Sequence, residues 1–143
     1  MEPAPKLHLC GLKLQDFRNY AAASLAFAPH HAVFTGENGA GKTNLLEAIS
    51  LLSPGRGMRR ANYADMVRAG ALNGFAVHAD LVTEDGEVSL GTGNGAEGGG
   101  LEAVRRLRVN GAPAKSADAF LEYLRVVWIT PQMDGLFSGP SAD

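Results

Sequence analysis

The sequence predicts an α/β fold, and three of its features lead to that class. Residues 36–43 are rich in glycine and lie between a short apolar stretch and a segment of helical periodicity. Other segments alternate between apolar and polar residues, as half-buried strands do. The chain has 143 residues, of which 45% are hydrophobic and 20% are charged, so it can bury a core. We therefore expect a strand–loop–helix core joined to a mostly antiparallel side sheet.

Three strands are predicted before the helix. Residues 6–14 alternate between two faces, and residues 24–27 form a short second strand that ends before Pro29. Residues 32–35 form a third, buried strand that leads directly into Gly36. The two strands before this glycine are close enough in sequence to pair as an antiparallel hairpin.

The period changes from that of a strand to that of a helix at Lys42. The apolar stripe of this helix consists of Leu45, Leu46, Ala48, Ile49 and Leu52. Asn44, Glu47 and Ser50 lie outside the stripe and are expected to face elsewhere. Pro54 follows the last apolar position and ends the helix, since proline cannot continue it.

A second hairpin is predicted from residues 75–83 and 87–90, which would place Asp80 on the exposed face of the sheet. Residues 91–100 (GTGNGAEGGG) have no apolar anchor and are expected to form a flexible loop. Residues 105–109 form the next strand, before a tight turn at Asn110-Gly111.

The last predicted elements are a helix that begins after Ser116 and a buried strand at residues 126–130. Phe120, Leu121 and Leu124 should face inward from the helix. Across the whole fold, the side chains expected to be largely buried are Phe34, Leu45, Leu46, Ile49, Val77, Leu81 and Trp128.

The glycine-rich segment fits G-x-x-x-x-G-K-[ST], a phosphate-binding loop. Its residues are Gly36, Glu37, Asn38, Gly39, Ala40, Gly41, Lys42 and Thr43. The glycines let several backbone N–H groups point at one phosphate, and the helix adds its partial positive charge. Lys42 can reach the β- and γ-phosphates, and the hydroxyl of Thr43 can bind Mg²⁺. The motif therefore predicts a nucleoside-triphosphate site.

Composition and charge exclude several other classes of protein. The one cysteine cannot form an internal disulfide, and no Cys/His spacing matches a zinc site. No apolar run is long enough for a signal peptide or a membrane span, so a cytoplasmic location is expected. The net charge of −2 gives no overall attraction for nucleic acid.

DNA binding therefore requires a local basic patch, a partner or parts that this chain lacks, and the connector after the helix offers a candidate patch. It contains Arg56, Arg59 and Arg60, which can contact DNA phosphates. A solvated cluster or an interaction with the end of the helix explains the same residues, and both interpretations stay open.

The motifs FRNY (residues 17–20), NGAGKTNLLEAI (38–49) and ITPQ (129–132) together resemble the RecF family of bacterial DNA replication and repair proteins. The family is similar to the heads of SMC and ABC ATPases. The resemblance implies the N-terminal lobe of a P-loop NTPase head, with ATP and Mg²⁺ at residues 36–43. It also implies that Arg18 and Asn19 lie near the nucleotide and that Gln132 is a Q-loop residue near Mg²⁺.

The resemblance further implies partners: single-stranded or gapped DNA, the proteins RecR and RecO, and a second copy of the chain in an ATP-dependent homodimer. Such proteins act in recombinational repair and the SOS response. The chain lacks the signature motif and the Walker B acidic pair of such heads. Residues 1–143 are therefore expected to be one truncated N-terminal lobe that binds ATP weakly and does not hydrolyse it alone.

Two other functions fit the motif. A small P-loop kinase is one, although two strands precede the loop here, whereas a kinase places its phosphate-loop strand first. A non-catalytic remnant that binds DNA or a partner is the other, although the intact loop does not favour it.

Overall fold

The computed structural model describes residues 5–37, 39–95 and 105–131, and its main element is a six-stranded antiparallel sheet. The spatial order of the strands is β2-β1-β3-β4-β5-β6. The strands are β1 (Leu7–Phe17), β2 (Tyr20–Ala26), β3 (Phe75–Thr83), β4 (Gly86–Asn94), β5 (Arg106–Val109) and β6 (Ala112–Pro113). Two α-helices, α1 (Lys42–Ser50) and α2 (Tyr63–Met66), and a 3₁₀ helix, Ala117–Glu122, complete the described elements.

The first hairpin is longer than the sequence predicts. β1 continues to Phe17, which pairs with Tyr20 across a turn formed by Arg18 and Asn19. Arg18 takes a positive φ of 51° in this turn. The ring of Phe17 is fully buried, with its centroid 5.3 Å from that of Phe75. This buried anchor holds the turn against the sheet, and the turn lies next to the beginning of α1.

One face of the sheet forms the core together with α1 and the residues that follow it. The buried side chains of the central strands are Leu12, Leu14, Val77, Ala79, Leu81 and Leu90. Leu45, Ala48, Leu51 and Leu52 pack against them. Burying each leucine contributes about 1.5–3 kcal/mol, so this interface is the main source of stability. The predicted burial of Leu45, Val77 and Leu81 is confirmed, and Asp80 lies on the opposite face of β3 as expected.

α1 is rotated relative to the orientation predicted from its apolar stripe. Leu46 is 48% exposed and Ile49 is only half-buried, whereas Glu47 and Ser50 are buried. The reason is that the residues after the helix fold back over its polar face. Ser50 Oγ accepts a hydrogen bond from the backbone N–H of Met58 at 2.9 Å. The predictions that Leu46 is buried and that Glu47 faces elsewhere are therefore wrong.

Two predicted strands are not strands. Residues 32–35 and 126–130 have no regular secondary structure, and neither segment is paired in a ladder within the described part of the chain. Val33 is 83% exposed, Val127 92% and Ile129 79%, while Phe34 and Trp128 are half-buried. The β-branched sequence favours an extended backbone, but a strand also needs a neighbour that completes its hydrogen bonds.

The glycine-rich segment and the last helix also differ from the prediction. β4 continues through Asn94, so residues 91–94 are strand and not flexible loop; residues 96–100 lie outside the described part. The register of β3 explains this extension, since Phe75 pairs with Asn94 and Ala76 with Gly93. The helix after Ser116 is a 3₁₀ helix, and Ser116 Oγ accepts from Asp118 N–H at 3.1 Å as an N-cap.

Candidate nucleotide-binding site

The glycine-rich loop lies between residues 31–35, which have no regular secondary structure, and α1. Gly41 is the N-cap of the helix, with φ of 107°, in the left-handed region that favours glycine. A Cβ atom at this position would lie 2.6 Å from the hydroxyl oxygen of Tyr20. Both the backbone conformation and the neighbouring side chain therefore require glycine here.

The residues at the turn between β1 and β2 form hydrogen bonds with this loop. The hydroxyl of Tyr20 donates to the carbonyl of Gly41 at 3.1 Å, and Asn19 Nδ2 donates to the carbonyl of Ala40 at 3.3 Å. Asn44 Nδ2, in the first turn of α1, donates to Asn19 Oδ1 at 2.8 Å. These bonds fix the loop to the rigid sheet, which is how a binding loop acquires a defined shape.

A cavity of about 170 Å³ lies at the N-terminus of α1. Its lining residues are Gly39, Gly41, Lys42, Thr43, Asn44 and Arg59. The ammonium of Lys42 donates to the carbonyl of Gly36 and so crosses the loop. The cavity thus combines an ammonium, a guanidinium and the first N–H groups of a helix, which have no acceptor within the helix. Phosphate is the ligand that such donors and positive charges suit.

Glu47 links the cavity to the β1–β2 turn through two arginines. Its side chain is fully buried and accepts from Arg18 at two atoms: Nε to Oε1 at 2.7 Å and Nη2 to Oε2 at 2.9 Å. Arg59 Nη1 donates to the same Oε1 at 3.3 Å and to Asn44 Oδ1 at 2.8 Å. The hydrogen bond to Glu47 raises the pKa of Arg18. One carboxylate therefore orients two cations, and one of them lines the cavity.

Arg105 anchors the connector that carries Arg59. Its guanidinium donates to the carbonyls of Leu51, of Ser53 at 2.8 Å and of Gly55 at 3.1 Å. Its Nε donates to Thr92 Oγ1 at 2.7 Å. Burial lowers the pKa of this guanidinium. Arg105, which immediately precedes β5, therefore joins the connector to Thr92 on β4.

The structure places the predicted site residues in different environments. Asn19 lies at the loop, whereas Arg18 is bound to Glu47 and to the carbonyl of Asp65 at 3.0 Å and does not line the cavity. Of the three arginines predicted for DNA, Arg59 lines the cavity. Arg56 contacts Asn62 at 3.3 Å, and Arg60 is exposed. Asn38 and Gln132 lie outside the described residues.

Sequence reasoning missed three residues of this site: Tyr20, Asn44 and Glu47. A signal for Glu47 exists, because it follows Thr43 by four residues and therefore shares a face of α1 with the end of the loop. No local pattern identifies Tyr20, since its contact with Gly41 joins residues far apart in the sequence.

A phosphate-binding loop at a helix N-terminus, beside an antiparallel sheet, defines the class of P-loop NTPase heads. Residues 8–94 match the family described as the RecF/RecN/SMC N terminal domain. Because this match covers more than half of the chain, the chain belongs to that family.

Within the family, the chain is similar to RecF. It is 59% identical over 138 residues to the DNA replication and repair protein RecF of Rhizobium etli (strain CIAT 652), covering 96% of this chain and 36% of that protein. It is 60% identical over 136 residues to RecF of Mesorhizobium japonicum, covering 95% of this chain and 35% of that protein. The chain thus corresponds to the N-terminal part of RecF and spans about a third of the length of these relatives.

Solved structures agree with this family. The recombination mediator protein RecF with ATP superposes with a TM-score of 0.78 at 29% identity, over 95% of this chain and 36% of that chain. An SMC ATPase structure superposes with a TM-score of 0.75 over 94% of this chain and 93% of that one. At 19% identity, this second likeness shows the shared head fold alone.

Two further features concern the residues in the described ranges. None of their helices has the length and apolar character needed to cross a bilayer. No group of three or more His, Cys, Asp or Glu side chains among them is arranged to hold a metal ion.

Proposed function

We propose that this chain is the ATP-binding N-terminal lobe of a RecF-type protein that acts on DNA in replication and recombinational repair. The observation that carries the proposal is the cavity at the N-terminus of α1, where Lys42 and Arg59 lie beside the loop backbone. Two fixed cations and a helix N-terminus match the charge of a triphosphate. The RecF relatives and the ATP complex of RecF support ATP as the nucleotide.

Mg²⁺ fits the same site through Thr43. This residue is exposed, lines the cavity and lies one position after Lys42, where the hydroxyl of a P-loop can bind a metal held by the β- and γ-phosphates. When bound, the ion would neutralise charge on the phosphates. The predicted second contact, from Gln132, remains part of the proposal.

Lys42→Ala tests the site. We expect it to weaken binding of ATP in the presence of Mg²⁺ by about a hundredfold, since a charge-assisted contact to phosphate contributes about 1.5–3 kcal/mol. Lys115→Ala is the matched control, because Lys115 is exposed in the turn before the 3₁₀ helix. Calorimetric titration of both variants measures the difference. Equal losses in the two variants would show that the loop is not the nucleotide site.

We also propose partners that the whole protein would need. The proposed partners are RecR, RecO, single-stranded or gapped DNA and a second copy of the chain. The proposal also includes action in the cytoplasm and in the SOS response. Size-exclusion chromatography with light scattering, with and without ATP, tests the dimer.

A further inference from the structure

The face of the sheet opposite the core is exposed, and its register arranges side chains in rows across the strands. One row runs Ser24, Lys13, His78, Gly91, Arg108, because Lys13 pairs with Ser24 and His78, and Gly91 pairs with His78 and Arg108. The next row runs Ala22, Gln15, Ala76, Gly93, Arg106. We call these ten residues the outer rows.

All of the charged side chains in the outer rows are cations. Lys13, Arg106 and Arg108 are exposed, and His78 is 45% exposed. No carboxylate occurs in either row. On the same face, Asp80 lies in the following row and is bonded to Ser89 Oγ at 2.7 Å and to His78 Nε2 at 3.0 Å. Asp16, beside the second row, is paired with Arg68 Nε at 3.0 Å, and Glu87 lies beyond Asp80 near the other end of β4. The positive charge is therefore local to the outer rows, on a chain with a net charge of −2.

The surface of the sheet between these cations is recessed. Ala22, Ser24, Ala76, Gly91 and Gly93 have small side chains or none, and the surface dips there into two open depressions of about 560 Å³ and 340 Å³. The long cationic side chains beside these depressions can therefore contact a convex polyanion that lies across the strands. The outer rows contain no Phe, Tyr or Trp, so bases have no ring on which to stack as they do on single-strand platforms.

The spacing of the cations also fits a duplex. Lys13 on β1 and Arg108 on β5 are separated by three strand intervals, which is about 14 Å at about 4.8 Å per interval. The major groove is about 12 Å wide. Lys13 and Arg108 can therefore contact phosphates on both strands of the duplex.

From these observations we infer that the outer rows bind the phosphodiester backbone of duplex DNA without reading its sequence. This inference rests on the proposed function and locates its DNA contact on the sheet. Among the connector arginines, Arg59 is less suited to that contact, because it lines the nucleotide cavity and is bound to Glu47 and Asn44. Lys13, Arg106 and Arg108 supply phosphate contacts, while the P-loop binds nucleotide on the other side of the sheet.

The test compares the purified chain with a triple variant, Lys13→Glu/Arg106→Glu/Arg108→Glu. Binding of a labelled blunt duplex is measured by fluorescence anisotropy over a series of salt concentrations. The matched control carries the same change of charge at exposed positions outside the rows: Lys6→Glu/Lys115→Glu/Arg125→Glu. A milder variant, Lys13→Gln/Arg106→Gln/Arg108→Gln, removes the charges without reversing them and is less disruptive to folding. Circular dichroism checks that every variant is folded.

We expect the triple variant to lose at least about tenfold in affinity, with the log–log salt slope reduced by about 2 to 3, while the matched control loses much less. The glutamine variant should show the same slope change. Equal losses in variant and control would mean that only net charge matters and would overturn the inference. Competition by polyglutamate as strong as that by unlabelled duplex would assign the rows to an acidic protein and would also overturn it.

Failure of the inference is distinguishable from failure of the proposed function. Every variant is also titrated with ATP and Mg²⁺, because none of these substitutions lies in the nucleotide cavity. Nucleotide binding without any duplex binding by the unaltered chain overturns the inference and the DNA part of the proposed function, and leaves the ATP site standing. Duplex binding without nucleotide binding overturns the ATP site alone.

Discussion

The buried carboxylate of Glu47 and the guanidinium of Arg18 form a two-point ion pair, with N···O distances of 2.7 and 2.9 Å. Arg18 lies in the turn between the first two strands and Glu47 in the middle of α1. The pair therefore ties the helix that begins at the P-loop to the sheet. It also fixes Arg59, which shares Oε1 of the same carboxylate.

Glu47→Ala is expected to destabilise the fold by about 3–5 kcal/mol, because removal of one partner leaves the charge of Arg18 largely buried without compensation. Urea unfolding followed by circular dichroism measures the loss. Glu87→Ala is the control, since Glu87 is exposed on β4 and should change stability by less than about 0.5 kcal/mol. A loss for Glu47→Ala as small as that of the control would contradict the structural role of the pair.

Gly41→Ala is expected to weaken nucleotide binding strongly. The positive φ of Gly41 costs an alanine about 1–2 kcal/mol, and the new Cβ would also press on the Tyr20 hydroxyl and the Asn19 amide. Gly55→Ala separates these effects: its φ of 94° imposes similar strain, but nothing lies within 4 Å of the added Cβ. Titration with ATP should show a much larger loss for Gly41→Ala. Similar affinities in the two variants would mean that the contact with the β1–β2 turn has no effect on the loop.

Arg105→Ala is expected to cost about 2–4 kcal/mol of stability, because several carbonyls of the connector lose a charged donor in a partly buried place. Arg105→Lys should recover only part of this loss, since an ammonium cannot reproduce the planar fork of a guanidinium. Arg125→Ala, at an exposed position, serves as the control. Thermal unfolding of the three variants gives the comparison, and full recovery with lysine would contradict the proposed geometry.

Ser89→Ala is expected to raise the pKa of Asp80. The hydrogen bond from Ser89 is the largest cause that holds this pKa below its ordinary value, and the contacts with His78 add to it. A carboxyl with a lowered pKa in the folded state contributes stability above its unfolded pKa and loses it as the pH falls through the folded one. The variant should therefore lose less stability on acidification than the original chain does. NMR titration of the side-chain carboxyl carbon checks the shift, and an unchanged pKa would contradict the role of Ser89.

Much of the fold and site follows from local sequence. The motif at residues 36–43 predicts the loop and the start of α1, because its glycines and Lys42 are needed within a few residues of one another. The alternation at residues 75–83 predicts β3 and its outward Asp80 in the same local way. The resemblance carried by the motifs places the chain with RecF, and the comparisons confirm it.

The orientation of α1 and the partners of the arginines follow from tertiary structure alone. Leu46 lies in the apolar stripe but is exposed, because the chain after the helix covers the face that holds Glu47. Glu47 contacts Arg18 across 29 positions, and Arg105 contacts the connector across about 50. Periodicity reports which residues share a face of a helix or strand. It does not report which neighbour covers that face, because that contact depends on how distant segments pack together.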